Sequence, residues 1–247
     1  MACACRQAKS RKNFVIDVKS SQAVLNERQF VLRLEQIGEQ KYHDKHPFHQ
    51  RMHAGQLSRQ EMQRWIANRF YYQQCLPVKD ALVLAKLPQR SDRIVWRERI
   101  IDHDGLTEND GGINAWLQLA AAAGIERNEL LDGRHFLPGV IFAVDAYVNY
   151  CRLNPWWLAV ASSLTEVFAP RLVSYRIEVL EKHYPWIAKE GLDYFRARLG
   201  QAPRDSKHGL ELVMRAADTG EKQMQALAAV EFKCDVLWSL LDAIDHD

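Results

Sequence analysis

Arginine, imidazole and amide side chains recur in this sequence where a helix should be apolar, and their spacing groups them. In WIANRFYYQQCLPVKDALVLA, residues 65–85, Arg69, Tyr72 and Gln73 lie three and four apart on the face that carries Trp65 and Leu76. In RIVWRERIIDHDG, Trp96, Arg99 and His103 share one stripe. His103 falls in the C-terminal turn, where the helix dipole would favour an imidazolium. Tyr147 belongs to the stripe of Val140, Val144 and Cys151; Glu166, Val173 and Arg176 fall near one another across Pro170; Tyr194 and Arg198 form an i, i+4 pair; and Lys233 interrupts Ala229, Val236, Leu237 and Leu240. Any one of these cations alone is more often a snorkelling or salt-bridged side chain, and each tyrosine a core residue with a wet tip. Buried cations cost free energy unless paired, so several helices that each contribute one suggest convergence on something anionic. DHDG sets an imidazole of ordinary pKa near 6.5 between two carboxylates, which suits proton transfer.

Metal chemistry is disfavoured by the same reading. His43, His46, His49 and His53 resemble a ligand cluster, but no H-E-x-x-H or E-x-x-H pair accompanies them on a helix, and Glu166 lacks the paired E-x-x-H motifs of a di-iron bundle.

The elements that must position these groups are helices. Apolar residues recur at three and four almost everywhere, and alternating β-branched runs are nearly absent. Helices are expected at about 21–40, 58–85, 91–103, 113–123, 138–152, two within 155–186 divided or kinked at Pro170, 188–199, 206–217 and 220–245, the last two either separate or continuous. Ser58 and Glu61 have capping-box spacing, Leu57 and Met62 fit a hydrophobic staple, and Pro138 suits a first turn. Pro77 should kink or restart its helix, and KYHDKHPFHQRMHAGQ reads as a loop. The expectation is an all-α fold, a single compact bundle of about seven or more helices, spanning residues 21–247 behind a basic tail at 1–20.

Composition narrows the function classes. Among 247 residues, Lys and Arg number 33 and Asp and Glu 31, a net charge of +2 that makes no electrostatic case for nucleic acid. No apolar run suggests a membrane span or a secretory signal. Five scattered cysteines, Cys3 and Cys5 among them, without a CxxC pair, point to a reducing cytoplasm. No phosphate-binding glycine loop is present.

At KYHDKHPFHQRMH, NRFYYQ, IIDHDG, NDGG, FAVDAY, SSLTEVFAP and HYPWI, over roughly residues 25–245, the sequence resembles the pyrroloquinoline quinone synthases. That resemblance implies a haem-oxygenase-like helical bundle acting as a homodimer. It implies an oxidase that uses dioxygen without a metal or redox cofactor, closing and oxidising a polycarboxylate quinone precursor to pyrroloquinoline quinone (PQQ) with release of hydrogen peroxide. The family's pocket carries over to Tyr42, His43, Arg69, Tyr72, Gln73, Lys79, Arg99, His103, Tyr147, Glu166, Arg176, Tyr194, Arg198 and Lys233. In this reading Arg69, Arg99, Arg176 and Lys233 clamp carboxylates, His103 is general base and acid, and Tyr147, Tyr194 and Arg198 stabilise quinol oxyanions and reduced oxygen. One position departs: the family pattern has a histidine where TEVFAPRLV has Val173, in the group that surrounds dioxygen with Tyr194 and Arg198. The chain also stops at AIDHD, short of the C-terminal extension common in the family.

Two other readings compete. Val173 motivates a protein that binds or delivers the quinone without completing its oxidation. A thiaminase-like hydrolase would need a cysteine nucleophile near a carboxylate, for which Cys151 and Glu166 are the plausible pair.

Overall fold

The computed structural model describes residues 23–246. The described residues form eleven α-helices and three 3-10 segments joined by short connections, and contain no strand. The helices are α1 (Glu27–Lys41), α2 (Pro47–His53), α3 (Arg59–Leu84), α4 (Arg90–Asp104), α5 (Gly111–Ala122), α6 (Arg127–Leu131), α7 (Pro138–Leu153), α8 (Trp156–Ala161), α9 (Ala169–His183), α10 (Asp193–Ala216) and α11 (Gly220–Asp245). The basic tail at 1–20, with Cys3 and Cys5, lies outside the described residues.

α3 is the axis of the bundle, packing against α4, α5 and α7, while α11 closes the far side against α7 and α1. Its start is the anticipated capping box: Glu61 N donates to Ser58 Oγ at 3.2 Å and Ser58 N to Glu61 Oε2 at 2.8 Å. Met62, Trp65, Ile66, Phe70, Leu76 and Val83 are buried on several sides of it, as befits a helix surrounded by others. Two tryptophans from neighbouring helices satisfy their indole N–H groups on its backbone, Trp116 on Ile66 O at 2.9 Å and Trp96 on Asp80 O at 3.1 Å. Each indole therefore buries a large apolar surface without orphaning its donor. The opening of α1 is pinned to α11 by Gln223, whose side chain accepts from Leu25 N at 2.7 Å and donates to Leu25 O at 2.9 Å.

Four expectations are corrected. The segment taken as a loop holds a 3-10 turn, His43–Lys45, and α2, because Pro47 is placed at the first helical turn and the His46 ring accepts from Phe48 N at 3.1 Å. Pro77 does not restart the helix but sits inside a continuous α3. Between α8 and α9 the chain is divided by a seven-residue 3-10 run, Ser162–Phe168, and Pro170 lies in the first turn of α9, where its missing N–H costs nothing. The expected helices at 188–199 and 206–217 are one helix, α10, running through Pro203, whereas α11 starts afresh with Thr219 Oγ1 accepting from Lys222 N. No helix of the described residues is long and apolar enough to cross a membrane.

Candidate active site

A cavity of about 90 Å³ lies in the centre of the bundle, walled by α3, α4, α5, α9, α10, α11, the residues after α1 and the long 3-10 run. Ten of the fourteen predicted residues form its wall: Tyr42, His43, Arg69, Tyr72, Gln73, His103, Glu166, Arg176, Tyr194 and Arg198. The other four stand behind. Lys79, Arg99, Tyr147 and Lys233 are buried and touch wall residues or one another without lining the space. The spacings of three and four in α3 explain the first group, since Trp65, Arg69, Tyr72, Gln73 and Leu76 present one face to the cavity.

The buried cations divide into two classes. Arg99 is paired, with Nη1 donating to Glu166 Oε2 at 2.8 Å, Nη2 to the Asp205 carbonyl, and Nε 3.9 Å from Asp205 Oδ1. Arg198 shares the same two carboxylates, with Nη2 3.5 Å from Glu166 Oε1 and Nη1 3.5 Å from Asp205 Oδ2. Burial alone would raise the Glu166 carboxyl, but the Arg99 and Arg198 guanidiniums overcome it and pull its pKa down to about 2. Lys79 contacts Asp80 Oδ1 at 2.7 Å and donates to Ser163 Oγ at 2.9 Å; burial opposes its charge most strongly, but Asp80, Glu166 and Cys151 together outweigh it and raise its pKa. Arg204 also contacts Asp205 and joins it to Asp102, so Arg99 is part of a six-ion network of three arginines and three carboxylates and is not a free anion clamp.

Arg69, Arg176 and Lys233 have no carboxylate partner among the described residues. Arg69 lies over the Tyr72 ring, 4.1 Å from its centroid, and Arg176 over Trp65 at 5.4 Å. Arg176 donates from Nη2 to the His49 ring and leaves Nε buried without a partner. Burial, then Arg69, lower its pKa to about 10, so it remains charged at neutral pH. Lys233 Nζ is buried with no hydrogen bond, between the rings of Tyr147 and Tyr72.

His103 is 4 % exposed, with Nδ1 buried and unpartnered. Burial, followed by the charges of Arg198 and Lys79, pushes its pKa down to about 3. The dipole argument for an imidazolium fails because desolvation and two nearby cations exceed what a helix terminus supplies. A neutral imidazole in the cavity wall keeps a ring nitrogen free, and an anion bound beside Arg198 and Lys79 would raise its basicity toward the range that suits proton transfer. Tyr194 donates from Oη to Gln73 Oε1 at 2.9 Å, which leaves Gln73 Nε2 as a buried, unpartnered donor. Tyr147 shares a hydrogen bond with Ser163 at 3.2 Å, and burial raises both Tyr147 and Tyr72 well above the ordinary phenol value.

Several participants escaped the sequence reading. His49 contacts the His43 ring and carbonyl at 3.0 and 2.9 Å and receives Arg176; burial, then the surrounding cations, hold both imidazoles neutral. Nothing local links His49 to Arg176. Asp205 had a visible signal, standing seven residues after Arg198 on the same face of α10. Cys151 lies 3.8 Å from Ser162 Oγ, away from the cavity wall, and burial raises its thiol pKa. With Glu166 held between two arginines, Cys151 and Glu166 form no nucleophile–carboxylate pair. Among the described residues no three His, Cys, Asp or Glu side chains are grouped to hold a metal ion.

Val173 lines the cavity one turn before Arg176. Leu172, Ala169, Leu237 and Phe195 also line the cavity, so Val173 is one of several apolar groups in its wall.

The model of the TENA/THI-4/PQQC family matches residues 32–243. Curated relatives include the pyrroloquinoline-quinone synthase of Klebsiella pneumoniae (strain 342), 51 % identical over 203 residues and 82 % of this chain and 81 % of that one. That of Pseudomonas aeruginosa (strain LESB58) is 49 % identical over 224 residues, 91 % and 89 % of the two chains. Among solved structures, a TenA homologue from Pseudomonas syringae pv. tomato superposes with a TM-score of 0.68 at 15 % identity over 98 % of this chain and all of that one. A domain with a haem-oxygenase-like fold from Shewanella denitrificans gives 0.67 at 14 % identity over 91 % and 94 %. At these identities the structural likeness speaks for the fold.

Proposed function

Since this chain belongs to the TENA/THI-4/PQQC family, we propose that it completes pyrroloquinoline quinone, closing and oxidising a polycarboxylate quinone precursor with dioxygen as the electron acceptor. The observation that carries this reading is the division of the buried cations. Arg69 and Arg176 face the cavity without carboxylate partners, and Lys233 stands unpaired behind Tyr72, so a polycarboxylate would supply the missing anions. Curated relatives about half identical over most of the chain bear the name of that enzyme.

Arg69 and Arg176 hold carboxylates, with Tyr42, His43 and Tyr72 shaping the space around the rings. His103, neutral at physiological pH, removes protons during ring closure and the following oxidations. Each two-electron oxidation passes two electrons and two protons to dioxygen and yields one hydrogen peroxide. Arg198, Tyr194 and the free Gln73 Nε2 are donors for the oxyanions and reduced oxygen that form. Glu166 fixes Arg99 and Arg198 in place. Dioxygen is the only co-substrate, no metal or redox cofactor takes part, and the working unit is a homodimer in the cytoplasm. The test is to mix metal-stripped protein with the precursor in air and follow PQQ absorbance and peroxide together. Repeated turnovers with stoichiometric peroxide are expected, and turnover that depends on added metal or flavin would refute the cofactor-free mechanism.

Val173 favours a second reading, in which the protein captures the precursor and stalls before full oxidation. A single bound chromophore that forms without peroxide would identify that case.

A further inference from the structure

The central cavity, at about 90 Å³, has room for about three waters at the liquid volume per molecule. Sites for small organic ligands run to about 300 Å³ or more, so a ligand of two or three fused rings requires a wall to give way. The walls that the cavity shares with surface space indicate which one. Tyr42 and Leu172 line both the cavity and a groove of about 650 Å³ between α1, the turn that follows it and the start of α9. The cavities beside α5 and α6, and on the outer face of α4, share no lining residue with it.

The partition is thin. Phe168, last residue of the long 3-10 run, meets Tyr42 edge-on with ring centroids 5.1 Å apart. Its ring rests on the bare α-carbon of Gly38, where a Cβ would approach to 2.7 Å. Tyr42 caps the end of α1 and Phe168 precedes the first turn of α9, so both rings hang from helix ends, where local rearrangement is least costly.

The groove itself is equipped for a ligand. Tyr42, Phe168, His53 and Tyr175 give it aromatic walls, with the His53 and Tyr175 rings 5.0 Å apart. His53 Nε2 and Asp44 Oδ1 are buried there without hydrogen-bond partners, and Arg171 and Lys45 add cations to a lining that also holds Glu35 and Glu39 on the α1 side. We propose that this groove is the entrance and an outer subsite for a planar aromatic carboxylate, and that Tyr42 and Phe168 are the door between it and the central cavity. Arg171 would meet a carboxylate, and Asp44 and His53 would meet the ring's polar hydrogens. The ligand class rests on the function proposed above; the route rests on the shared walls alone.

The route is tested without substrate. V173C places a thiol in the wall of the central cavity, and its reaction with sulfonatoethyl methanethiosulfonate, followed by peptide mass spectrometry, reports access. Adding F168A should accelerate that reaction by about tenfold or more, with F168L intermediate and Cys75 unchanged as the internal control. Q63W, which fills the cavity beside α5, should leave the rate alone. Equal labelling with and without F168A at unchanged Tm, or slower labelling with Q63W, would overturn the route. The ligand class is tested by stopped-flow binding of PQQ itself. F168A should speed association and dissociation together, leaving Kd within about threefold. Failure of PQQ to bind either protein would refute the ligand class and the function above, while the labelling result would still decide the route.

Discussion

Lys233 places its Nζ 3.4 Å from the centroid of the Tyr147 ring, on the face turned toward Tyr72. The two rings are 6.4 Å apart and 11° from parallel, so the amine is clasped between π-faces that attract a cation yet offer no hydrogen-bond acceptor. Burial, helped by Arg69 and Lys79, lowers its pKa well below 10.5. K233M should therefore stabilise the free protein, by on the order of 1–3 kcal/mol in urea denaturation, while weakening binding of a polycarboxylate. The folded pKa is depressed, so the wild type loses stability relative to K233M as pH falls from 10.5 toward that lower value, and the gap levels off beneath it. A destabilised K233M at neutral pH would contradict the account.

For His103, a pKa of about 3 means that the base form persists through mildly acid conditions. H103Q should lower the single-turnover rate by about 10²–10⁴-fold, the range for a lost general base, with a smaller change in precursor affinity. The rate should hold between pH 5 and 7 without an inflection near 6.5, on the order of the ordinary imidazole value. The sign for stability is the same as for any depressed base. Protonation of the unfolded chain near 6.5 draws stability away as pH falls toward about 3, and H103Q should not show that share of acid sensitivity.

Glu166 offers the opposite case. Its carboxylate, held at about 2 by Arg99 and Arg198 against the cost of burial, contributes stability above the unfolded value of 4.5 that is lost as pH falls through about 2. E166Q leaves two guanidiniums with only Asp205 between them and should cost on the order of 3 kcal/mol. Chemical denaturation at pH 7 and pH 3 should show the difference shrinking at the lower pH.

Val173 puts methyl groups where a dioxygen-handling wall would profit from a polar donor. V173H should raise the rate of peroxide formation per bound precursor by about tenfold, while precursor Kd moves by less than about threefold. An unchanged oxidation rate would show that the apolar wall does not limit the chemistry.

Local rules carried much of this structure and long-range pairing carried the rest. Ser58 and Glu61 announced the start of α3 because both capping partners lie within four residues. Pro77 does not restart its helix, and α10 likewise runs through Pro203, because tertiary packing holds α3 and α10 together across a missing backbone donor. The site followed the same division. Arg69, Tyr72, Gln73, His103, Arg176, Tyr194 and Arg198 reach the cavity because helical spacing places side chains on a face, and Tyr42 and His43 are implied by the family resemblance alone, yet Arg99 and Arg176 look alike in sequence. What separates them is the distant carboxylates, Glu166 for Arg99 and none for Arg176, and no local spacing reports that.

The run Ser162–Phe168 is wound three residues to the turn, longer than such segments usually persist. At that winding Ser163 and Glu166 lie in register one above the other, the first meeting Lys79 and Tyr147, the second meeting Arg99. Rewound as an α-helix, the pair would be offset by about 60° around the axis, since three residues turn 300° instead of a full circle. The pitch of seven residues thus acts as a phase setting that decides which polar groups face one another at the heart of the bundle.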